Sequence, residues 1–150
     1  MNARRFVASC IASVAVSALA APLYPDTSRA NADIAAGVAE AARTHRHVLI
    51  DFGGDWCTDC KVLDKYMSTP ENAAIVSASF VVVHVNVGAR GITENFDVAR
   101  RYGIPLEKGV PALAVLDSEG RVLVSQRAGE FEDMRHMDVK SVNDFLDRWR

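Results

Sequence analysis

Two cysteines separated by two residues, Cys57 and Cys60 in the run Trp56-Cys57-Thr58-Asp59-Cys60, are the residues of this 150-residue chain best suited to chemistry. They follow the apolar run His47–Gly53 (HVLIDFG) and open a stretch where Cys60, Leu63, Asp64 and Met67 recur at helical intervals. A sulfur at a helix N-terminus faces unsatisfied backbone N–H groups and the positive end of the macrodipole. Both favour the thiolate, the reactive form. One turn on, the second sulfur can reach the first and close a small disulfide. The spacing therefore predicts a redox pair in which Cys57 attacks and Cys60 resolves. Half of a zinc site and an inert disulfide are the alternatives. Zinc needs two more ligands, and the chain has no second C-x-x-C and no pair of histidines at ligand spacing. His45, His47, His84 and His136 are scattered and read as surface or helix-end residues, so no metal site is expected.

An acid stands close to this pair in the sequence. Asp51 lies six residues before Cys57, among Leu49, Ile50 and Phe52 in what reads as a buried strand. Burial there is costly and disfavours the charged form, so such a carboxyl is able to take the proton of Cys60 as that thiol attacks a mixed disulfide. The alternative is that Asp51 accepts a backbone amide at a strand end. Asp55 and Asp59 flank Cys57 and should disfavour its thiolate, which argues for a reducing poise.

The elements that must hold these groups alternate. Ile34, Val38, Ala41 and Ala42 predict a helix ending near His45, with Asn31 or Asp33 able to cap it. His47–Gly53 and Phe80–Val87 read as buried strands. Between them lie the Cys57–Met67 helix and a second helical stretch from Thr69 to Ser77. Glu94–Tyr102 is predicted helical, Pro111–Asp117 and Arg121–Arg127 form a hairpin about Ser118-Glu119-Gly120, and Val139–Trp149 is a closing amphipathic helix. Gly88–Thr93 and Leu106–Gly109 read as loops, and Gly129–Asp138 as a segment too charged to bury. Early alternation requires crossovers and parallel strands, while the hairpin adds antiparallel ones. The fold class is α/β, with a central mixed sheet flanked by helices.

Residues 1–20 carry Arg4 and Arg5, no acid, and an apolar run beginning at Phe6. They read as a signal peptide cleaved near Ala20. Residues 21–30, with Pro22 and Pro25, read as an extended tether, and residues 31–150 as one domain. Removing the leader takes Cys10 with it and leaves 15 Lys+Arg against 19 Asp+Glu, a net charge of −4. That acidity removes the basic footprint of a nucleic-acid binder. The two remaining cysteines are too few for a disulfide-stapled scaffold, and a chain of this length buries a core without staples.

The run His47–Leu63, HVLIDFGGDWCTDCKVL, resembles the active-site segment of thioredoxin-fold proteins. Gly109-Val110-Pro111 with the following ALAVLD resembles that family's cis-proline loop and strand. Asp55-Trp56-Cys57, Lys61, Lys65-Tyr66 and Thr69-Pro70-Glu71 are similar to the periplasmic type represented by the C-terminal domain of the membrane reductant carrier DsbD. The resemblance implies a thioredoxin fold over residues 31–149. It implies Cys57 as nucleophile, Cys60 as resolving thiol and Asp51 as the buried acid. Pro111 would be cis and face the disulfide, with the Val110 backbone pairing with substrate and Trp56 shielding the sulfur. The chain departs from the family in its Thr58-Asp59 dipeptide and in Leu106-Glu107-Lys108 before Gly109. The expected function is an exported, periplasmic thiol–disulfide oxidoreductase that reduces protein disulfides. It would be a monomer, need no cofactor, and be re-reduced by a membrane donor of the DsbD kind. A binding module or Cu(I)-handling protein using the same cysteines without turnover is the alternative.

Overall fold

The computed structural model describes residues 21–150. The expected leader, its Cys10 and the cleavage site near Ala20 lie outside the described residues. The chain runs α1 (Ala30–Thr44), β1 (His47–Gly53), α2 (Thr58–Met67), α3 (Pro70–Ser79), β2 (Phe80–Asn86), α4 (Phe96–Arg101), β3 (Ala112–Leu116), β4 (Val122–Ser125) and α5 (Val139–Trp149). The four strands form one mixed sheet in the order β2-β1-β3-β4. β1 runs parallel to β2, with Asp51 opposite His84, and antiparallel to β3, which pairs antiparallel with β4.

Strand alternation divides the core. Val48, Ile50 and Phe52 of β1 pack with Ile34 and Ala41 of α1 and Val98 of α4 on one face. Leu49 packs with Leu63 of α2 and Val142 and Leu146 of α5 on the other, with Ile75 and Val76 of α3 against them. Local chemistry fixes the helix ends. Pro70 begins α3, where its missing N–H costs nothing, and the Asp138 carboxylate accepts the Ser141 amide at 3.1 Å to cap α5. Neither Asn31 nor Asp33 caps α1; Asp33 instead sits in its first turn and pairs with Arg29. α4 starts at Phe96, because Asn95 just before it takes left-handed backbone angles.

Three segments differ from the sequence reading. Residues 21–30 are not a free tether. Tyr24 is 2% exposed in the core, the Leu23 amide donates to Asp55 Oδ1 at 3.0 Å, and Thr27–Arg29 form a 3-10 turn. Leu106–Lys108 is a 3-10 turn with Leu106 buried, not an open loop. Gly129–Asp138 is anchored despite its charges, since Phe131 and Met134 are buried in the core that Leu49 and Leu146 share. In each case one or two apolar side chains hold a segment whose polar residues point outward, and a composition average hides them.

Candidate active site

α2 begins where β1 delivers the chain to the end of the sheet. Cys57, with extended backbone angles, is its N-cap residue, and the Cys60 amide donates to Cys57 Sγ at 3.1 Å. A sulfur thus occupies the position where an oxygen usually caps a helix. Cys57 and Cys60 are joined as a disulfide. Both cysteines are buried, but not equally: Cys57 is 5% exposed and Cys60 is 0% exposed. Cys57 Sγ lies 3.6 Å from the Val110 carbonyl oxygen, and the Val110–Pro111 peptide bond is cis. The cis-proline loop therefore lies directly against the Cys57 sulfur. Trp56, half-buried beside it, is held by its indole N–H, which donates to the Gly88 carbonyl at 2.7 Å.

Asp51 is fully buried, in the strand leading to Cys57. It does not accept a backbone amide. Its Oδ2 accepts the Tyr24 hydroxyl at 2.7 Å and lies 3.0 Å from His84 Nδ1, while its Oδ1 has no protein partner. Cys60 is next to this cluster. A Cβ built on Gly53 would meet the Tyr24 hydroxyl at 2.4 Å and Cys60 Sγ at 2.8 Å, so only a glycine lets the phenol and the sulfur close on the strand. Burial, reinforced by the charge of Asp51 and its hydrogen bond, pushes the Tyr24 pKa far above the usual phenol range, so Tyr24 remains a neutral donor. Burial lowers the His84 pKa, but the hydrogen bond to Asp51 and the negative charges of Asp51, Asp64 and Asp55 outweigh it, and His84 titrates above the ordinary histidine value.

Sequence reasoning missed Tyr24, placed in the tether, and His84, read as a surface or helix-end residue. His84 lies in β2, within the predicted strand, and its side chain is only 21% exposed and turned to Asp51. A signal for it does exist. Each of the runs HVLIDFG and FVVVHVN carries an ionisable residue at its fifth position, and in-register parallel pairing sets the two side by side.

The acids flanking Cys57 are less free than expected. Asp59 is mostly buried, and its Oδ1 accepts both the Arg135 amide and Nε at 3.0 Å. Asp55 is engaged by Leu23. Arg135 belongs to the Gly129–Asp138 segment, whose Glu132 also presses on the cis-proline loop. Glu132 Oε2 would lie 2.7 Å from a Cβ on Gly109, a residue with φ of +105°. Among the described residues, no three His, Cys, Asp or Glu side chains converge as a metal site, and no helix is long and apolar enough to cross a membrane.

A mixed sheet between helices, with a C-x-x-C pair at a helix start facing a cis-proline, defines a class. The family model described as thioredoxin-like matches residues 29–118, and the chain belongs to that family. It is a thiol–disulfide oxidoreductase-type protein with its pair at Cys57 and Cys60. It is similar to the disulphide isomerase of Xylella fastidiosa Temecula1, at 32% identity and a TM-score of 0.78, over 85% of this chain and 96% of that one. It is also 28% identical over 91 residues, 60% of its length, to the thiol:disulfide interchange protein DsbD of Photorhabdus laumondii, of which it spans 15%. The reduced C-terminal domain of Neisseria meningitidis DsbD shares the fold, with a TM-score of 0.55 at 24% identity over 80% of this chain and 96% of that domain.

Proposed function

We propose that this protein is an exported thiol–disulfide reductase acting on disulfides of envelope proteins. The observation that carries the reading is the inequality of the two sulfurs. Cys57 caps a helix with a small exposed surface beside the Val110 carbonyl, and Cys60 is sealed near Tyr24, whose hydroxyl donates to Asp51. In this reading Cys57 attacks a substrate disulfide, Cys60 displaces the reduced product from the mixed disulfide, and Asp51 takes the Cys60 proton. Trp56 shields the sulfur, and Val110 and Pro111 receive the substrate backbone. Residues 1–20 direct export and are removed near Ala20, and residues 21–150 act as a monomeric periplasmic domain re-reduced by a membrane donor of the DsbD kind. The similarity to DsbD supports that donor class, and the acids at Asp55 and Asp59 support the reducing direction.

Insulin reduction with the wild type and Cys57→Ala tests the activity. Turnover by the wild type that the variant lacks is the expected result. No turnover with stoichiometric copper retention would favour the binding module instead. The similarity to the Xylella disulphide isomerase gives a second reading, in which scrambled ribonuclease is reshuffled faster than insulin is reduced. Intact mass of the exported protein checks the leader, with a start at residue 21 or 22 expected.

A further inference from the structure

Asp51 is fully buried, so a proton that reaches it from Cys60 needs a way out. The backbone of β1 offers none, being paired on both sides by β2 and β3. The carboxylate has two side-chain partners. Tyr24 is itself buried and keeps its proton. His84 is different: it sits on β2, an edge strand of the sheet, and its side chain is part exposed. The ring borders two surface hollows. Asp64 and Met67 of α2 line one with it, and Asp33 and Glu40 of α1 line the other. We infer that His84 is the proton outlet of the active site, connecting buried Asp51 to solvent across the 3.0 Å contact at Nδ1. The inference rests on the thiol–disulfide reading above.

The step balances. In the mixed disulfide, Cys60 Sγ attacks Cys57 Sγ, the Cys57–Cys60 bond forms, and the bond from Cys57 to substrate breaks. The substrate sulfur leaves with the electron pair and takes a proton from solvent. The two cysteines are oxidised and the substrate disulfide is reduced. The Cys60 proton passes to Asp51, which thereby loses its charge. At rest Asp51 is charged and the His84 ring carries a proton on each nitrogen, the one on Nδ1 donated to Oδ2. The arriving proton settles on Asp51 Oδ1, which has no other partner, and removes that charge, and burial then expels the Nε2 proton to solvent. When re-reduction releases Cys60 again as a thiolate, Asp51 returns its proton to that sulfur and the ring takes one back from solvent at Nε2. The charges facing His84 are all acidic: Asp51 from β1, Asp55 from the loop after it, Asp64 from α2, and Asp33 and Glu40 from α1, these last two already paired with Arg29, Arg43 and Arg46.

The test uses the reduced protein and dithiobis-nitrobenzoate, which releases one coloured thiolate when Cys57 attacks and a second when Cys60 displaces the remainder. His84→Ala is expected to leave the first release unchanged and to slow the second about tenfold or more, the range of a lost proton-transfer group. Imidazole added to the buffer should restore the second phase in proportion to its concentration, a rescue that a merely structural loss would not show. His84→Gln, which keeps a hydrogen-bond donor but carries no proton through, should behave like the alanine variant. Asp51→Asn should be slow and not rescued. A wild-type second phase in His84→Ala, or a slowed one that imidazole leaves unchanged, would overturn the assignment. Absence of the first release in the wild type would instead overturn the parent reading.

Discussion

The residues around Cys60 form a unit assembled from three distant places in the chain. Tyr24 and His84 lie 27 and 33 positions from the Asp51 they contact. The cysteine pair and Asp51 were legible in the sequence because each is anomalous within its own few residues. Tyr24 was not, because a tyrosine between two prolines gives no sign of the strand it will pack on. Tyr24→Phe removes a hydrogen bond to a buried carboxylate and should cost about 1–3 kcal/mol in urea unfolding of the oxidised protein. His84 adds a pH dependence of definite sign. Its folded pKa is raised, so the stability it contributes is present in full below its unfolded value, near pH 6.5, and is lost as pH rises through the higher folded value. Urea midpoints of the wild type should therefore fall toward those of His84→Gln as the pH is raised from about 6 to about 8. A constant gap between the two curves would refute this.

Among the elements, strands and helices were readable from period and caps, and β1 and α5 agree with their sequence spans at both ends. The segments that carry few apolar residues were not. Gly129–Asp138 looks solvated by composition, yet Met134 is 0% exposed between α2 and the rest of the core. Met134→Ala should cost about 2–5 kcal/mol, the range for deleting a buried side chain, whereas a truly solvated segment would change by only a few tenths. The same segment sets charge at the active site. Arg135 pairs with Asp59, two residues after Cys57. Arg135→Ala leaves that carboxylate unopposed beside the sulfur, disfavours the thiolate, and should make the reduction potential more negative, on the order of 10–30 mV in a glutathione equilibrium. Asp59→Asn should shift it the other way.

For the molecule as a whole, the mixed sheet and its helices follow from alternation plus one hairpin, which is why the fold class was legible without a structure. What could not be read is how the sheet's order exposes one strand and hides another. β1, bearing Asp51, is central, and β2, bearing His84, is at an edge. Edge or centre is a property of pairings between distant segments, and neighbouring residues do not encode it. The expected reducing poise also belongs to this scale, since Asp55 is engaged by Leu23 and Asp59 by Arg135, partners that come from distant parts of the chain. The protein should equilibrate with glutathione at a potential nearer that of thioredoxin, about −270 mV, than that of DsbA, about −120 mV.

Gly53 has a consequence of another kind. With the Tyr24 hydroxyl and Cys60 Sγ both within 3 Å of where its Cβ would be, no space remains at that point for even a methyl group. Cys57 keeps a small opening to water, 5% of its surface, whereas Cys60 has none, so the two ends of a single covalent bond differ in their access to solvent. When an incoming thiolate opens that bond at Cys57, the displaced sulfur is released into a phase that will not tolerate its charge. The direction of opening is then a matter of partition as much as of access: the charged species stays on the wet side, and the neutral thiol is stored on the dry one.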